Sequence, residues 1–357
     1  MSSQVQKRQP WQNHGLAGNL DILVGSVVPP ALAILISVLM GLDFSIGLLG
    51  VFLPLQLISV CALGMKRQGA RGVKDGLLVL FVIFFSATVL VLLVSVLVSV
   101  VIQGSAAMSP HFIYQNNKYV STTTSLEYGG VGHAILGTLM IVAMTTLAAV
   151  PLGIAMAVYL TQSSSKLTGM VRTVTQALSG LPSVVAGLFI LSFMGFANLE
   201  RSGFTGALAL FPLMLPTVAR VAEEALRLVP SDLRLAALAL GAPNYRAFFQ
   251  VILPAAKSGI VTALLLGLAR VVGETAPLIL TINANNSTNL NPFSGGIATL
   301  PTFVYGFLGS LYDTSQARAW GAALVLLAVV GILFGLARIM GRTKNSSPKK
   351  IKKAKNV

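Results

Sequence analysis

Eight apolar stretches, at residues 22–42, 44–65, 76–102, 133–161, 171–197, 203–221, 258–282 and 319–340, decide what this chain can fold into. The hydrocarbon core of a bilayer takes about 20 apolar residues at 1.5 Å rise, and a helix satisfies every backbone N–H and C=O where no water can. The reading is an all-α polytopic membrane protein with about eight transmembrane helices. Composition agrees, since 55% of the 357 residues are hydrophobic and only 10% charged, where a soluble domain carries roughly a quarter.

The first two stretches are separated only by Asp43 and read as a tight hairpin, with Pro29, Pro30 and Pro54 expected to kink it. Residues 1–21 form a polar N-terminal tail with no small-residue cleavage pattern after a short apolar core, so 22–65 reads as an anchor hairpin. The tail 342–357 is basic and expected to lie against anionic lipid. Cys61 is the single cysteine and sits inside a stretch, which excludes an internal disulfide.

Orientation follows the placement of Lys and Arg. With the N-terminus inside, 21 of the 25 fall on cytoplasmic segments, leaving Lys118, Arg201 and Arg318 outside and Arg270 within a stretch. Both termini are therefore expected in the cytoplasm, and with them the loop 231–254. The net charge of +15 then serves topology and implies no nucleic-acid partner. The outer loops are 103–132, polar, and 283–318, whose run 297–311 is too short and too broken by Gly and Pro to span. It reads as interfacial or re-entrant.

The sequence holds no GxxxxGK[ST], so the chain is not expected to bind ATP through a P-loop. It has no HExxH and no Cys/His cluster for a metal. His14, His111 and His133 stand far apart and read as solvated or interfacial. Neither an enzyme nor a cofactor of the chain's own is expected.

The anomaly lies in LLLGLARVVGETAPLILT. Arg270 falls about 18 Å along its helix from Ser258, near the bilayer midplane. Glu274 follows at i+4, on the same helical face and within pairing reach. An arginine there costs roughly 2.5–3.5 kcal/mol on insertion scales, and such residues usually face a bundle interior and mark a substrate path. Gly273 and Pro277 can break the helix beside them. Arg220 ends the sixth stretch, with Glu223, Glu224 and Arg227 at i+3, i+4 and i+7. It is either a member of a surface ion-paired helix or a second guanidinium on the same path. Guanidinium suits a tetrahedral oxyanion better than ammonium does.

The loop SDLRLAALALGAPNYRAFFQVILP reads as helix, Gly turn, second short helix and Leu-Pro re-entry. Ser231 is placed to cap the first helix, Gly241 to turn left-handed at its end, and Pro243 to open the next. Ala236, Ala237, Gly241, Val251, Leu253 and Pro254 together resemble the coupling loop of ABC importer permeases, with Leu235 where that family usually has Glu. ARVVGETAPLILT, GGVGHAILGTL, AAVPLGIAMAVYL, ALSGLPSVVAGLF, EEALRLVPSDLR and GGIATLPTFVYGF resemble, in order, the PstA-type permeases of phosphate ABC importers.

That resemblance implies a type I ABC importer (MetI-like) permease core at 76–341, containing the coupling loop 231–254, behind the added hairpin 22–65. The intramembrane charges put Arg270 and Glu274 on the translocation pathway of such a core, with Arg220 joining them if it faces the same cavity. The partners the resemblance implies are a PstC-type permease, a PstB-type ATPase dimer that uses ATP and Mg, and a PstS-type phosphate-binding protein, all at a bacterial plasma membrane. The alternatives are a PstC-type partner, an importer of sulfate or molybdate, and an ATP-independent carrier or channel, whose transport would survive loss of the ATPase.

Overall fold

A computed structural model describes residues 16–341 apart from 42, 44, 45 and 164. The basic tail 342–357 and residues 1–15 lie outside the described residues. Among the described residues every regular element is helical. The chain divides into two compact units, one up to Leu97 and one from Val98 onward.

The first unit holds α1 (Leu16–Met40), a π turn at Gly47–Phe52, α2 (Leu53–Gln68) and most of α3 (Ala70–Ser105). Helix α1 runs on through Pro29 and Pro30, and Pro54 falls in the first turn of α2, where its missing N–H costs nothing. Three residues of the hairpin turn around Asp43 are outside the described set. The Ser59 hydroxyl donates to the Gly25 carbonyl at 3.0 Å and ties α1 to α2. With 36 residues, α3 is about 54 Å long at 1.5 Å per residue. It exposes apolar side chains such as Phe81, Ile83, Val91 and Val96 along its length.

The second unit continues with α4 (Pro110–Tyr114), α5 (Gly132–Gln162), α6 (Leu167–Ser179), α7 (Ser183–Ala197) and α8 (Gly203–Arg227). Then come α9 (Ser231–Ala239), α10 (Asn244–Ala255, containing a π turn at Phe248–Ile252) and α11 (Lys257–Val272). It ends with α12 (Ala276–Thr281), α13 (Leu300–Leu308) and α14 (Asp313–Gly341). Among the described residues, four helices are long and apolar enough to cross a membrane alone, namely α3, α5, α8 and α14, and two bent pairs raise the total to as many as six.

Two expected spans are broken. Residues 171–197 form α6 and α7, bent by 104° at Gly180-Leu181-Pro182. Pro182 supplies no N–H and pushes Leu181 out of helical geometry. The stretch 258–282 ends as a helix at Val272 and resumes at Ala276, with Pro277 in the first turn of α12. The short run 297–311 is the nine-residue helix α13, opened by a reciprocal Thr299–Thr302 capping box, with Leu300 and Phe303 buried in the unit.

Helix α8 is the hub. It packs on α5, α7 and α11, and its Leu210, Leu213, Met214 and Val218 are fully buried or nearly so. Gly259, Ala263 and Gly267 put a small residue on every fourth position of α11, which lets two backbones approach closely. A Cβ on Gly267 would stand 2.7 Å from Val218 Cγ2, and one on Gly259 would collide with Ala225 Cβ. These contacts also show that α8 and α11 run antiparallel.

At the opposite end of the unit from the 231–254 loop, Arg318 of α14 is fully buried. Its Nη2 donates to the carbonyls of Thr124, Ser125 and Tyr128 at 2.8, 2.7 and 3.2 Å. The hydroxyls of Thr314 and Ser315 both donate to the Thr122 carbonyl, so α14 straps down the loop before α5. The positive charge thus serves structure, although the sequence reading had only placed it outside. Arg318→Met should free that loop. Limited proteolysis of the intact complex should cut between residues 119 and 129 at least tenfold faster, since hydrogen bonds to a charged donor contribute about 1.5–3 kcal/mol each.

His133 departs from the expectation of a solvated or interfacial ring. It is buried against the edge of Phe303, centroids 5.7 Å apart, and neither ring nitrogen has a partner among the described residues. As the second residue of a spanning helix, it is packed into the protein and only 4% exposed. His111 is exposed, as expected, and contacts the Tyr114 hydroxyl at 2.7 Å.

Candidate functional site

Arg270 sits in the last turn of α11, exposed, with no hydrogen bond or ion pair among the described residues. Glu274 lies past the helix end, half-buried, its N–H donating to the Val271 carbonyl at 3.3 Å. The expected i,i+4 pair is therefore absent. The pairing rule needs a continuous helix through both residues, and this one stops at Val272, with Gly273 as its C-cap. What remains is a guanidinium beside unpaired helix carbonyls, the end where a cation is favoured.

Arg220 is exposed two turns before the end of α8 and makes no ion pair among the described residues. The antiparallel register of α8 and α11, with Gly267 beside Val218, puts Arg270 about 7 Å from the level of Arg220 along the pair, at 1.5 Å per residue. Of the two readings for Arg220, the ion-paired one does not include it among the described residues. The ion-paired helix exists, but its centre is Glu223. Arg172 Nη2 and Arg227 Nη2 both donate to Glu223 Oε1, at 2.9 and 2.7 Å. The Glu223 side chain is only 13% exposed.

Arg172 was not singled out by the sequence reading. The Glu223–Arg227 spacing at i+4 is legible in one helix, but Arg172 is 51 residues away. It reaches Glu223 only because the chain bends at Pro182 and lays α6 against α8. Arg172, Arg220, Arg227, Glu223 and Glu224 line one cavity of about 220 Å³.

The 231–254 loop has the expected order, with two local corrections. Pro230 precedes the first helical residue, so Ser231 is the first residue of α9 and its side chain makes no cap. Pro243 likewise stands just before α10. Gly241 has φ +83°, its N–H donating to the Leu238 carbonyl at 2.9 Å, while Ala242 N–H reaches back to the Ala237 carbonyl at 3.1 Å. That bond pair is a Schellman motif, which places a left-handed residue at Gly241.

The two halves of the loop differ in support. Helix α9 buries no residue, and Leu235 and Ala236 are exposed while Ala237 is half-buried. Leu240 at 90% and Leu235 at 62% exposure set apolar surface in the open, beside Tyr245 and Phe249. In α10, Phe248 and Ile252 are buried in the main apolar core with α8 and α11. Val251 and Leu253 are half-buried there, and Pro254 is exposed.

Residues 149–345 match the family described as "Binding-protein-dependent transport system inner membrane component". The chain is 44% identical over 207 residues to the phosphate transport system permease protein PstA 1 of Mycobacterium tuberculosis (strain CDC 1551 / Oshkosh), covering 57% of this chain and 68% of that one. It is 38% identical over 291 residues to the PstA protein of Mycobacterium leprae (strain TN), covering 80% and 93%. Among solved structures, a chain of a bacterial alginate ABC transporter with its pentasaccharide-bound periplasmic protein superposes with TM-score 0.50 at 16% identity. It covers 76% of this chain and 96% of that one.

Proposed function

The chain belongs to the phosphate transport system permeases of the PstA type, within the binding-protein-dependent inner membrane components, and from that membership we propose that it forms half of the pathway of an ATP-driven inorganic phosphate importer. Its partners in this reading are a PstC-type permease, a PstB-type ATPase dimer that binds ATP and Mg, and a PstS-type binding protein. The hairpin 22–65 is an added anchor ahead of the 76–341 core. The 231–254 loop faces the cytoplasm, as do both termini.

The single observation that carries the reading is Arg270, an unpaired guanidinium at a break inside a spanning segment. A polar side chain at membrane depth is tolerated where it lines a cavity, and broken helices at transporter midplanes build such sites. Arg270 supplies positive field to the passing oxyanion, and Glu274, free of it, keeps the binding weak enough for release. Arg220 adds a second guanidinium nearer the cytoplasmic end.

Work enters at the loop. The exposed side chains of α9 dock on the ATPase, and the buried Phe248 and Ile252 transmit its movement to α8 and α11. ATP binding and delivery of phosphate by the binding protein favour the same outward-facing state, as reciprocal linkage requires. Hydrolysis returns the bundle to the inward-facing state.

Uptake of labelled phosphate at low external concentration, with excess unlabelled sulfate, is the test. Deleting the gene where no second phosphate importer operates should remove uptake, while sulfate should leave the parent strain unaffected. Competition by sulfate or molybdate would transfer the reading to another oxyanion. Uptake that survives loss of the ATPase would end it.

A further inference from the structure

The clamp on Glu223 has the features of an oxyanion site filled by the protein's own carboxylate. Two guanidiniums, Arg172 and Arg227, converge on a single oxygen, Oε1, and Glu223 itself lines the cavity. Arg220 lines the same cavity with no ion pair among the described residues. Three guanidiniums meet two carboxylates, so the cavity stays net positive even with Glu223 clamped. A volume of about 220 Å³ equals roughly seven waters at about 30 Å³ each, room for a tetrahedral oxyanion and part of its hydration shell.

We propose that this cavity is an exit site for the transported oxyanion, in which phosphate replaces Glu223 between Arg172 and Arg227 and is then expelled by the returning carboxylate. The proposal rests on the phosphate-importer reading above. Bidentate guanidinium donors recognise phosphate and carboxylate alike, so the two anions compete for one pair of donors. Exchange lowers the net affinity for phosphate without removing any donor, which is what an exit site requires. No covalent step is involved. The location fits as well, since Arg227 is four residues ahead of Ser231, where the coupling loop begins. A clamp that closes α6 on α8 when phosphate has gone is placed to report emptiness to that loop.

The test uses the whole transporter, with partner subunits, solubilised without its binding protein. The probe is ³²P-labelled inorganic phosphate. Glu223→Gln keeps the shape and removes the competing charge, and it should raise equilibrium phosphate binding about tenfold. Adding Arg172→Gln to that variant should abolish the gain. If Glu223 only latches two helices together, Glu223→Gln will lower the melting temperature and leave phosphate binding unchanged, and the proposal fails. Should Glu223→Gln not assemble, Arg172→Gln alone should weaken phosphate binding at least fivefold, and unchanged binding overturns the site. Uptake by the unmodified complex separates the two readings. If that complex imports sulfate and not phosphate, yet Glu223→Gln still raises sulfate binding about tenfold, the exit site stands and the choice of substrate falls.

Discussion

Replacing Arg270 by alanine is expected to reduce phosphate uptake more than a hundredfold while leaving the protein's level in the membrane unchanged. The two halves of this expectation have separate origins. Arg270 is exposed and makes no hydrogen bond or ion pair among the described residues, so its removal strands no described partner and leaves no cavity in the core. Its cost to the fold is small. Its expected value to transport is large, because in the proposed pathway the positive field at the end of α11 has no substitute on that part of the helix. Lysine at 270 keeps the charge but loses the planar fork of donors, and it should retain a minor part of the uptake. The measurement is initial-rate uptake normalised to membrane abundance. Normal uptake by a normally assembled alanine variant would remove Arg270 from the pathway.

Gly241→Val is expected to cut transport at least tenfold while ATP hydrolysis by the assembled complex continues. A Cβ at this position would touch nothing within 4 Å, so no clash with the core arises. The penalty is conformational. At φ +83° an L-residue pays about 1–2 kcal/mol, and a β-branched one more, so the loop relaxes and the Schellman bonds to Ala237 and Leu238 open. The angle between α9 and α10 is then lost, and with it the transfer of movement. Gly241→Asn should recover much of the activity, because asparagine visits the left-handed region readily. Equal loss with valine and asparagine would point to the missing glycine surface itself, and full transport by the valine variant would show that the turn is dispensable for coupling.

The all-helical class, the loop's order and the family were legible because each is written in local pattern. Apolar stretches of spanning length, Gly241 after a run of helix formers, and the ARVVGETAPLILT segment need no knowledge of the fold. The misreadings have a common cause, which is that hydropathy records what a segment is made of and not whether it is continuous. The stretch 171–197 is apolar throughout yet turns by 104°. Its Leu-Pro step was the available signal. The Arg270–Glu274 pair failed for the same reason, since Thr275-Ala276-Pro277 marks a new helix start and ends the i,i+4 geometry. Arg172 on Glu223, His133 on Phe303 and Arg318 on the carbonyls of 124–128 lay beyond sequence reading altogether. Each joins residues far apart in the chain, through the bend before α7, the packing of α13 on α5, or the loop before α5 packed on α14.

The unequal support of the coupling loop sets where it yields. Helix α9 has no buried anchor, whereas α10 is held by Phe248 and Ile252 in the core. The glycine between them is thus the hinge of a lever with one clamped arm. Backbone amides of α9 should exchange with deuterated solvent long before those of 248–252. In the proposed assembly, an ATPase docked on the free arm is expected first to stiffen it. Before such docking, movement of the partner would be absorbed by the loop and would do no work on the bundle, so an unengaged transporter would idle with its gate at rest.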